Sequence, residues 1–142
     1  VLFRSITMQT FVPELTFAQC AQVLDRQRLG KQRVEVLQLL RANLGLTRGW
    51  QNHPCAVMWR GHEAGLASYG LAVCNEWISR GYKDTCADKI CALVQPREDD
   101  LPSWWGRKDI MISHRSNLIR KFPEHYAGLW AGVPDDLPYI WQ

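Results

Sequence analysis

The chain lacks the features that define several large classes of protein. No apolar run approaches the length of a membrane span and no secretory signal is visible, so we expect a cytoplasmic protein without membrane contact. The five cysteines are an odd number and form no CxxC pair, so neither a disulfide framework nor a zinc ribbon is indicated. A Walker loop, a dinucleotide-binding fingerprint and a GxSxG elbow are also absent. We therefore expect neither a metal nor a cofactor.

What the chain does have is a large apolar fraction and an uneven distribution of charge. Apolar residues make up 46% of its 142 residues, which excludes a disordered chain and allows one domain with a real core. Residues 26–60 contain seven basic side chains against one acid, Glu35, and residues 107–121 contain five against one. Two basic segments at a net charge of +3 predict a polyanionic partner, although an ordinary charged surface gives the same pattern.

Apolar residues recur at helical spacing along most of the chain, and no alternation is long enough to require a strand. We predict an all-α fold, a compact single-domain helical bundle over residues 8–142 built around a long central helix. Residues 1–7, before Met8, are expected to be a cloning remnant or an upstream extension. The tail after Val133 should pack back on the core. The predicted helices are residues 17–24, 26–44, 54–80, 85–94 and 108–122, followed by a turn or two over 123–130.

The most informative segment is the predicted helix at residues 24–40. Its apolar residues share one face, while Arg28, Lys31, Gln32 and Glu35 lie on roughly the opposite face. This polar face has two interpretations. It is either a solvated surface with an ion pair between Lys31 and Glu35, four residues apart, or a phosphate-binding surface that holds one carboxylate for chemistry.

Two other polar segments contain groups that suit phosphate. Residues 51–54 precede a predicted helix N-terminus, where free N–H groups and the helix dipole attract anions. Residues 113–121 combine hydroxyl, amide, imidazole and basic side chains. Tryptophans beside bases can stack on nucleobases, although they can equally be core anchors. The predicted DNA contacts are Arg26, Arg28, Gln32, Arg33, Asn52, His53, Trp59, Arg60, His62, His114, Arg115, Arg120 and Lys121.

Three segments, in this order, carry a resemblance to a known family. They are Gln27-Arg28-Leu29 with Glu35 six residues later, then His53-Pro54 with Trp59, Gly61, Tyr69, Glu76 and Arg80-Gly81-Tyr82, and finally Pro123-x-x-Tyr126 after a basic helix. Together they span most of residues 8–130. In order and spacing the chain resembles the phage pyrimidine-dimer DNA glycosylases of the endonuclease V type.

The resemblance implies a monomeric, bacterial or phage-encoded DNA-repair glycosylase with AP-lyase activity. Its substrate would be double-stranded DNA with a damaged or modified pyrimidine. In that family an amine attacks the sugar C1′, displaces the base and forms an imine, and β-elimination then cuts the backbone. Glu35 stands where the family has its catalytic glutamate. General chemistry agrees, because a carboxylate stabilises the positive charge that develops on the sugar, and an α-amine is partly neutral near pH 7.

The identity of the amine stays open at this point. The family uses the α-amine exposed after removal of the initiator methionine, but here Met8 is followed by Gln9, which normally leaves that methionine in place. The candidates are therefore Met8, Val1 and Lys31, which lies one turn before Glu35. A glycosylase for another lesion fits equally well. The alternative functions are a non-catalytic helical DNA-binding domain and a helical module for an acidic protein.

Overall fold

The computed structural model describes residues 8–141, and the predictions made for residues 1–7, including a role for Val1, lie outside this range. Within it the chain forms helices and no strand, so the prediction of an all-α fold is confirmed. No helix in the described range combines the length and apolar character needed to cross a bilayer. The helices are α1 Phe17–Val23, α2 Arg26–Asn43, α3 Pro54–Trp59, α4 Glu63–Ser79, α5 Cys86–Leu93, α6 Lys108–Lys121 and α7 Pro123–Tyr126.

The single helix predicted over residues 54–80 is divided into α3 and α4. Arg60 is extended, with φ −60° and ψ 129°, and Gly61 follows at φ +87°, a left-handed conformation that favours glycine. Apolar spacing continues across the break because Trp59 and Leu66 both face the core, so periodicity alone gives no sign of it. The central helix is thus α4, which packs against α1, α2, α3 and α5.

Two glycines let neighbouring elements approach α4 closely. A Cβ on Gly70 would lie 2.6 Å from Cγ1 of Val36 on α2 and 3.0 Å from Cδ1 of Ile90 on α5. A Cβ on Gly65 would lie 1.9 Å from the carbonyl oxygen of Asp100. The distance between α2 and α4 is therefore set by the absence of a side chain at Gly70.

The tryptophans beside bases divide between core and partly covered positions. Trp59 is fully buried and meets Trp104 edge to face, with ring centroids 5.2 Å apart. The Trp104 indole N–H donates to the carbonyl oxygen of Met58 at 2.9 Å. Both rings are core anchors. Cys20 and Cys74 are also fully buried and pack as small apolar side chains.

Candidate active site

The polar face of α2 is only partly exposed to solvent. Gln32 is fully buried and Glu35 is only 5% exposed, because the extended segment at residues 8–13 covers this side of the helix. Lys31 stays exposed, and within the described range it forms no ion pair with Glu35. The interpretation as a surface ion pair is therefore corrected: a carboxylate is held in the interior, where an unpaired charge is costly.

Gln32 binds the covering segment through both ends of its side-chain amide. Its Nε2 donates to the carbonyl oxygen of Gln9 at 2.6 Å, and its Oε1 accepts from the Phe11 N–H at 2.9 Å. The Tyr69 hydroxyl on α4 donates to the Phe11 carbonyl oxygen at 2.6 Å. Side chains of α2 and α4 thus form the backbone hydrogen bonds that a neighbouring strand would otherwise form with this segment.

Two more helices hold the same segment. The Val12 N–H donates to Nδ1 of His114 on α6 at 3.0 Å, and the Trp59 indole N–H on α3 donates to the Thr10 hydroxyl at 2.9 Å. His114 is fully buried, and burial lowers its pKa from 6.5 to about 3. Its ring is therefore neutral, with Nδ1 as the acceptor and the proton on Nε2.

The Glu35 carboxylate has a strongly altered affinity for protons. Burial raises its pKa from 4.5 to about 7, against the opposing effects of the Lys31 charge, a hydrogen bond from the Gln9 backbone N–H and the Lys121 charge. A group with this pKa is present in both protonation states near neutral pH. That is the property a residue needs to donate and accept protons in one reaction cycle.

Basic side chains from α2 and α6 gather around Glu35. Arg28, Lys31 and Arg120 all lie close enough to Lys121 to act on its pKa, and so does Glu35. Arg28 pairs with Asp25 at 3.2 Å, whereas Arg120 donates to the carbonyl oxygen of Asp135 at 2.8 Å. We call Arg28, Lys31, Arg120 and Lys121 the basic cluster.

Other predicted DNA contacts do not belong to this cluster, and most of them have partners of their own. Arg33 forms an ion pair with Asp84 and lies over the Trp77 ring. Arg115 pairs with Glu14 at 3.3 Å. Four further residues complete this group: His62 pairs with Asp100 at 2.8 Å, Arg60 donates to the carbonyl oxygen of Gln51, and Arg26 and Asn52 are exposed.

Four predicted contacts are buried, which leaves their side chains no surface for a duplex. They are Gln32, His53, Trp59 and His114. His53 caps α3 by accepting from the Cys55 N–H, and the other three hold residues 9–12. We therefore assign these four side chains a supporting role in place of direct DNA contact.

The tail packs along α6, as predicted for its aromatic residues, with Gln142 outside the described range. Ser116 Oγ accepts from the Leu137 N–H at 3.0 Å, and Ser113 Oγ accepts from the Ile140 N–H at 3.3 Å. Tyr139 lies edge to face with His114, ring centroids 5.6 Å apart, and its pKa responds to the Glu35 charge. No local feature of the sequence indicates that Tyr139 borders the site.

Glu35 does not line the cavity beside α1 and α4. A cavity of about 790 Å³ opens between α1, α4 and the loop that follows α5, lined among others by Phe17, Leu71, Asn75 and Trp105, and by none of the predicted site residues. In the described range no three His, Cys, Asp or Glu side chains are grouped as a metal ion would need.

Comparison with models of protein families finds a match. The family model described as pyrimidine dimer DNA glycosylase matches residues 8–90, more than half of the chain. The matched region contains the covering segment, Gln32, Glu35 and Tyr69, and it ends before α6 begins. No curated protein and no solved structure matches the chain.

Proposed function

The chain belongs to the pyrimidine dimer DNA glycosylase family, and from this premise we propose that it excises a damaged or modified pyrimidine from double-stranded DNA through an amine nucleophile and then cuts the abasic site. The single observation that carries the mechanism is the buried Glu35 carboxylate, with a pKa of about 7, beneath a cluster of basic side chains.

Glu35 serves as the catalytic acid and base in this proposal. Protonated, it donates a proton to the departing base, and ionised, it stabilises the positive charge on the sugar. Both roles need a carboxyl group that titrates near neutral pH, which burial supplies here. The Gln9 N–H and the positive charges of Lys31 and Lys121 favour the ionised form and keep the pKa from rising further.

The basic cluster binds the DNA backbone around the lesion. Phosphate contacts fix the position of the duplex and carry no sequence information, which suits a repair enzyme. Arg26 and Asn52 are also exposed, so they are available for further phosphate contacts. Enzymes that act on a base within a duplex extrude the nucleotide from the stack, so the damaged nucleotide must reach Glu35 outside the helix.

The nucleophile of the mechanism is an amine. Attack on C1′ releases the base and gives an imine, and β-elimination from the imine cuts the strand. The α-amine candidates belong to the chain before Gln9, whose backbone nitrogen contacts Glu35, and Lys31 is the candidate on α2.

The test uses a duplex with one cyclobutane thymine dimer and the full chain, with Glu35→Gln and the exposed Glu124→Gln as a matched pair. We expect wild type and Glu124→Gln to cut the dimer strand. Glu35→Gln should bind the duplex but cut at least ~100-fold more slowly in single turnover. Unchanged cutting by Glu35→Gln would remove Glu35 from the mechanism. Binding of the duplex by wild type without cutting would favour the non-catalytic DNA-binding domain.

A further inference from the structure

We propose that Trp50 enters the base stack of the bound duplex and keeps the extruded lesion outside it, an inference that rests on the proposed glycosylase function. Trp50 belongs to the loop at residues 44–53, which joins α2 to α3. Extrusion of a nucleotide leaves a gap in the stack, and proteins that open a duplex fill such a gap with an apolar side chain.

The backbone of Trp50 has a conformation that a tryptophan rarely adopts. Its φ is +71°, and in the described part of the chain it is the one residue other than glycine with a positive φ. A left-handed conformation brings Cβ close to the following carbonyl oxygen, so it costs free energy that the surrounding structure must offset. Strained residues of this kind cluster at sites that bind a ligand. The strain therefore points to a task for the Trp50 side chain.

Hydrogen bonds on both sides of Trp50 fix this conformation. The Trp50 carbonyl oxygen accepts from the His53 N–H at 3.0 Å, which closes the turn before α3. The next residue, Gln51, donates from Nε2 to the carbonyl oxygen of Thr47 at 2.6 Å, and its own carbonyl oxygen accepts from Arg60. A braced turn, and not a freely moving loop, therefore presents the Trp50 ring.

The neighbours of Trp50 in the loop suit contact with a duplex. Residues 44–49 are all exposed, and the Trp50 side chain is partly exposed. Arg48 forms no ion pair within the described range, so its guanidinium is available to a phosphate. The exposed Asn52 adds an amide on the other side. An aromatic ring between a cation and an amide is a surface on which a base can stack while the backbone is held.

A row of aromatic rings supports Trp50. Its ring lies edge to face with His53, with centroids 5.7 Å apart, and His53 lies edge to face with Trp141 at 5.6 Å. The row continues through Tyr139 to His114, which holds the covering segment. Trp50 is thus the partly exposed end of a row whose buried end contacts the segment beside Glu35.

Two further contacts join the loop to the candidate active site. At its base, Asn43 Nδ2 donates to the carbonyl oxygen of Ala56 at 3.0 Å, which holds α2 and α3 together. Just after the loop, Sγ of Cys55 lies 3.4 Å from the hydroxyl oxygen of Thr10 in the covering segment. Asn43 follows Glu35 by eight positions on α2, about 12 Å along the helix axis and about the width of a DNA major groove. One duplex can therefore contact the loop and reach Glu35.

Single-turnover excision of two substrates by the full chain tests the proposal. One is a paired duplex with a thymine dimer, and the other has the same dimer in a bubble of unpaired bases, where extrusion costs less. Trp50→Asn removes the ring but tolerates the left-handed conformation. We expect it to lose at least ~10-fold on the duplex and to stay within about 3-fold of wild type on the bubble. Trp50→Phe should restore most of the duplex rate. Leu46→Asn, 61% exposed in the same loop, is the matched control and should cut both substrates like wild type.

The outcomes separate this inference from the proposed function. A duplex rate for Trp50→Asn equal to that of wild type overturns the role of Trp50 and leaves the glycosylase intact. An equal loss on both substrates also overturns it, because a residue that only shapes the fold impairs both. If wild type cuts neither substrate, the proposed function itself is overturned. If circular dichroism shows that Trp50→Asn fails to fold, photocrosslinking of Glu35→Gln to a dimer duplex with an adjacent 5-iodouracil decides the matter. A crosslink on Trp50 supports the insertion, and a crosslink elsewhere or none contradicts it.

Discussion

Gln32 donates a 2.6 Å hydrogen bond to the carbonyl oxygen of Gln9, and the Gln9 N–H in turn donates to Glu35. One residue of the covering segment thus links the buried amide of α2 to the carboxylate one turn further along the same helix. The orientation of Glu35 therefore depends on a segment that is itself not helical.

Gln32→Leu should destabilise the fold and slow excision together. The substitution keeps the volume but leaves the Gln9 carbonyl and the Phe11 N–H without their partner, at about 1–3 kcal/mol for each buried group. We expect a loss of at least about 2 kcal/mol in urea unfolding. Gln38→Leu, half-buried on the same helix, is the control and should change little. Equal midpoints for the two variants would contradict this role of Gln32.

Wild type should lose stability as pH rises because Glu35 becomes ionised. Glu35→Gln should not show this loss. The folded pKa of Glu35 is raised from 4.5 to about 7, so its contribution is fully present below pH 4.5 and is lost as pH rises through 7. The whole loss amounts to about 3 kcal/mol. Urea unfolding of both proteins at pH 4.5 and pH 8 measures it. A difference between them that does not change with pH would show that Glu35 titrates normally.

Wild type should lose stability as pH falls because the buried His114 takes up a proton. His114→Asn should not show this loss. The folded pKa of His114 is depressed from 6.5 to about 3, so its contribution is present above pH 6.5 and is lost as pH falls toward 3, by up to about 5 kcal/mol. Asparagine can still accept from the Val12 N–H but has no charge to gain. The slope of unfolding free energy between pH 6.5 and 4 should therefore be less steep in the variant. An identical slope would place the acid sensitivity elsewhere.

Gly70→Ala should push α2 and α4 apart. The new methyl group would lie 2.6 Å from Val36 and 3.0 Å from Ile90, and overpacking of this kind costs about 1–3 kcal/mol. Excision should slow as well, because Val36 is the neighbour of Glu35 on α2. Gly49→Ala, where nothing lies within 4 Å, is the control and should remain near wild type in a thermal melt. If Gly70→Ala and Gly49→Ala have the same melting temperature, the contact between α2 and α4 accommodates the extra methyl group without loss of stability.

Lys31→Gln should weaken DNA binding and make the binding constant less dependent on salt concentration. One lost phosphate contact lowers the slope of log K against log salt by about 0.9. Lys89→Gln on α5, outside the basic cluster, provides the comparison and should keep the wild-type slope. Fluorescence anisotropy with an undamaged duplex between low and moderate salt gives both slopes. Equal slopes for the two variants would move the DNA-binding surface away from Glu35.

The helices were predictable from the sequence because their signals are local. Thr16 accepts from the Gln19 N–H as an N-cap should, and Gly45 at φ +77° follows the end of α2, so both helix ends lie within a residue or two of prediction. The break at Gly61 was missed because the apolar period runs through it. The spacing of apolar residues is the same for one continuous helix and for two helices that share a buried face.

The site was predictable in its central residue but not in its surroundings. Glu35 stood out as the one acid among many bases, yet its burial depends on a segment more than twenty positions away, which a helical wheel cannot represent. The contact between Val12 and His114 spans 102 positions, and Tyr139 reaches the site from the tail. Contacts of this range follow from the tertiary fold alone.

The covering segment behaves as an internal ligand of the helical domain. Residues 9–12 are held by the side chains of Gln32, Trp59, Tyr69 and His114, much as a peptide is held in a groove. A chain cut between Glu14 and Thr16 should therefore reassemble from two fragments, with the short one binding where it lies in the intact protein. Excision by the longer fragment would then depend on the concentration of the short peptide. Adding this peptide would therefore switch the enzyme on.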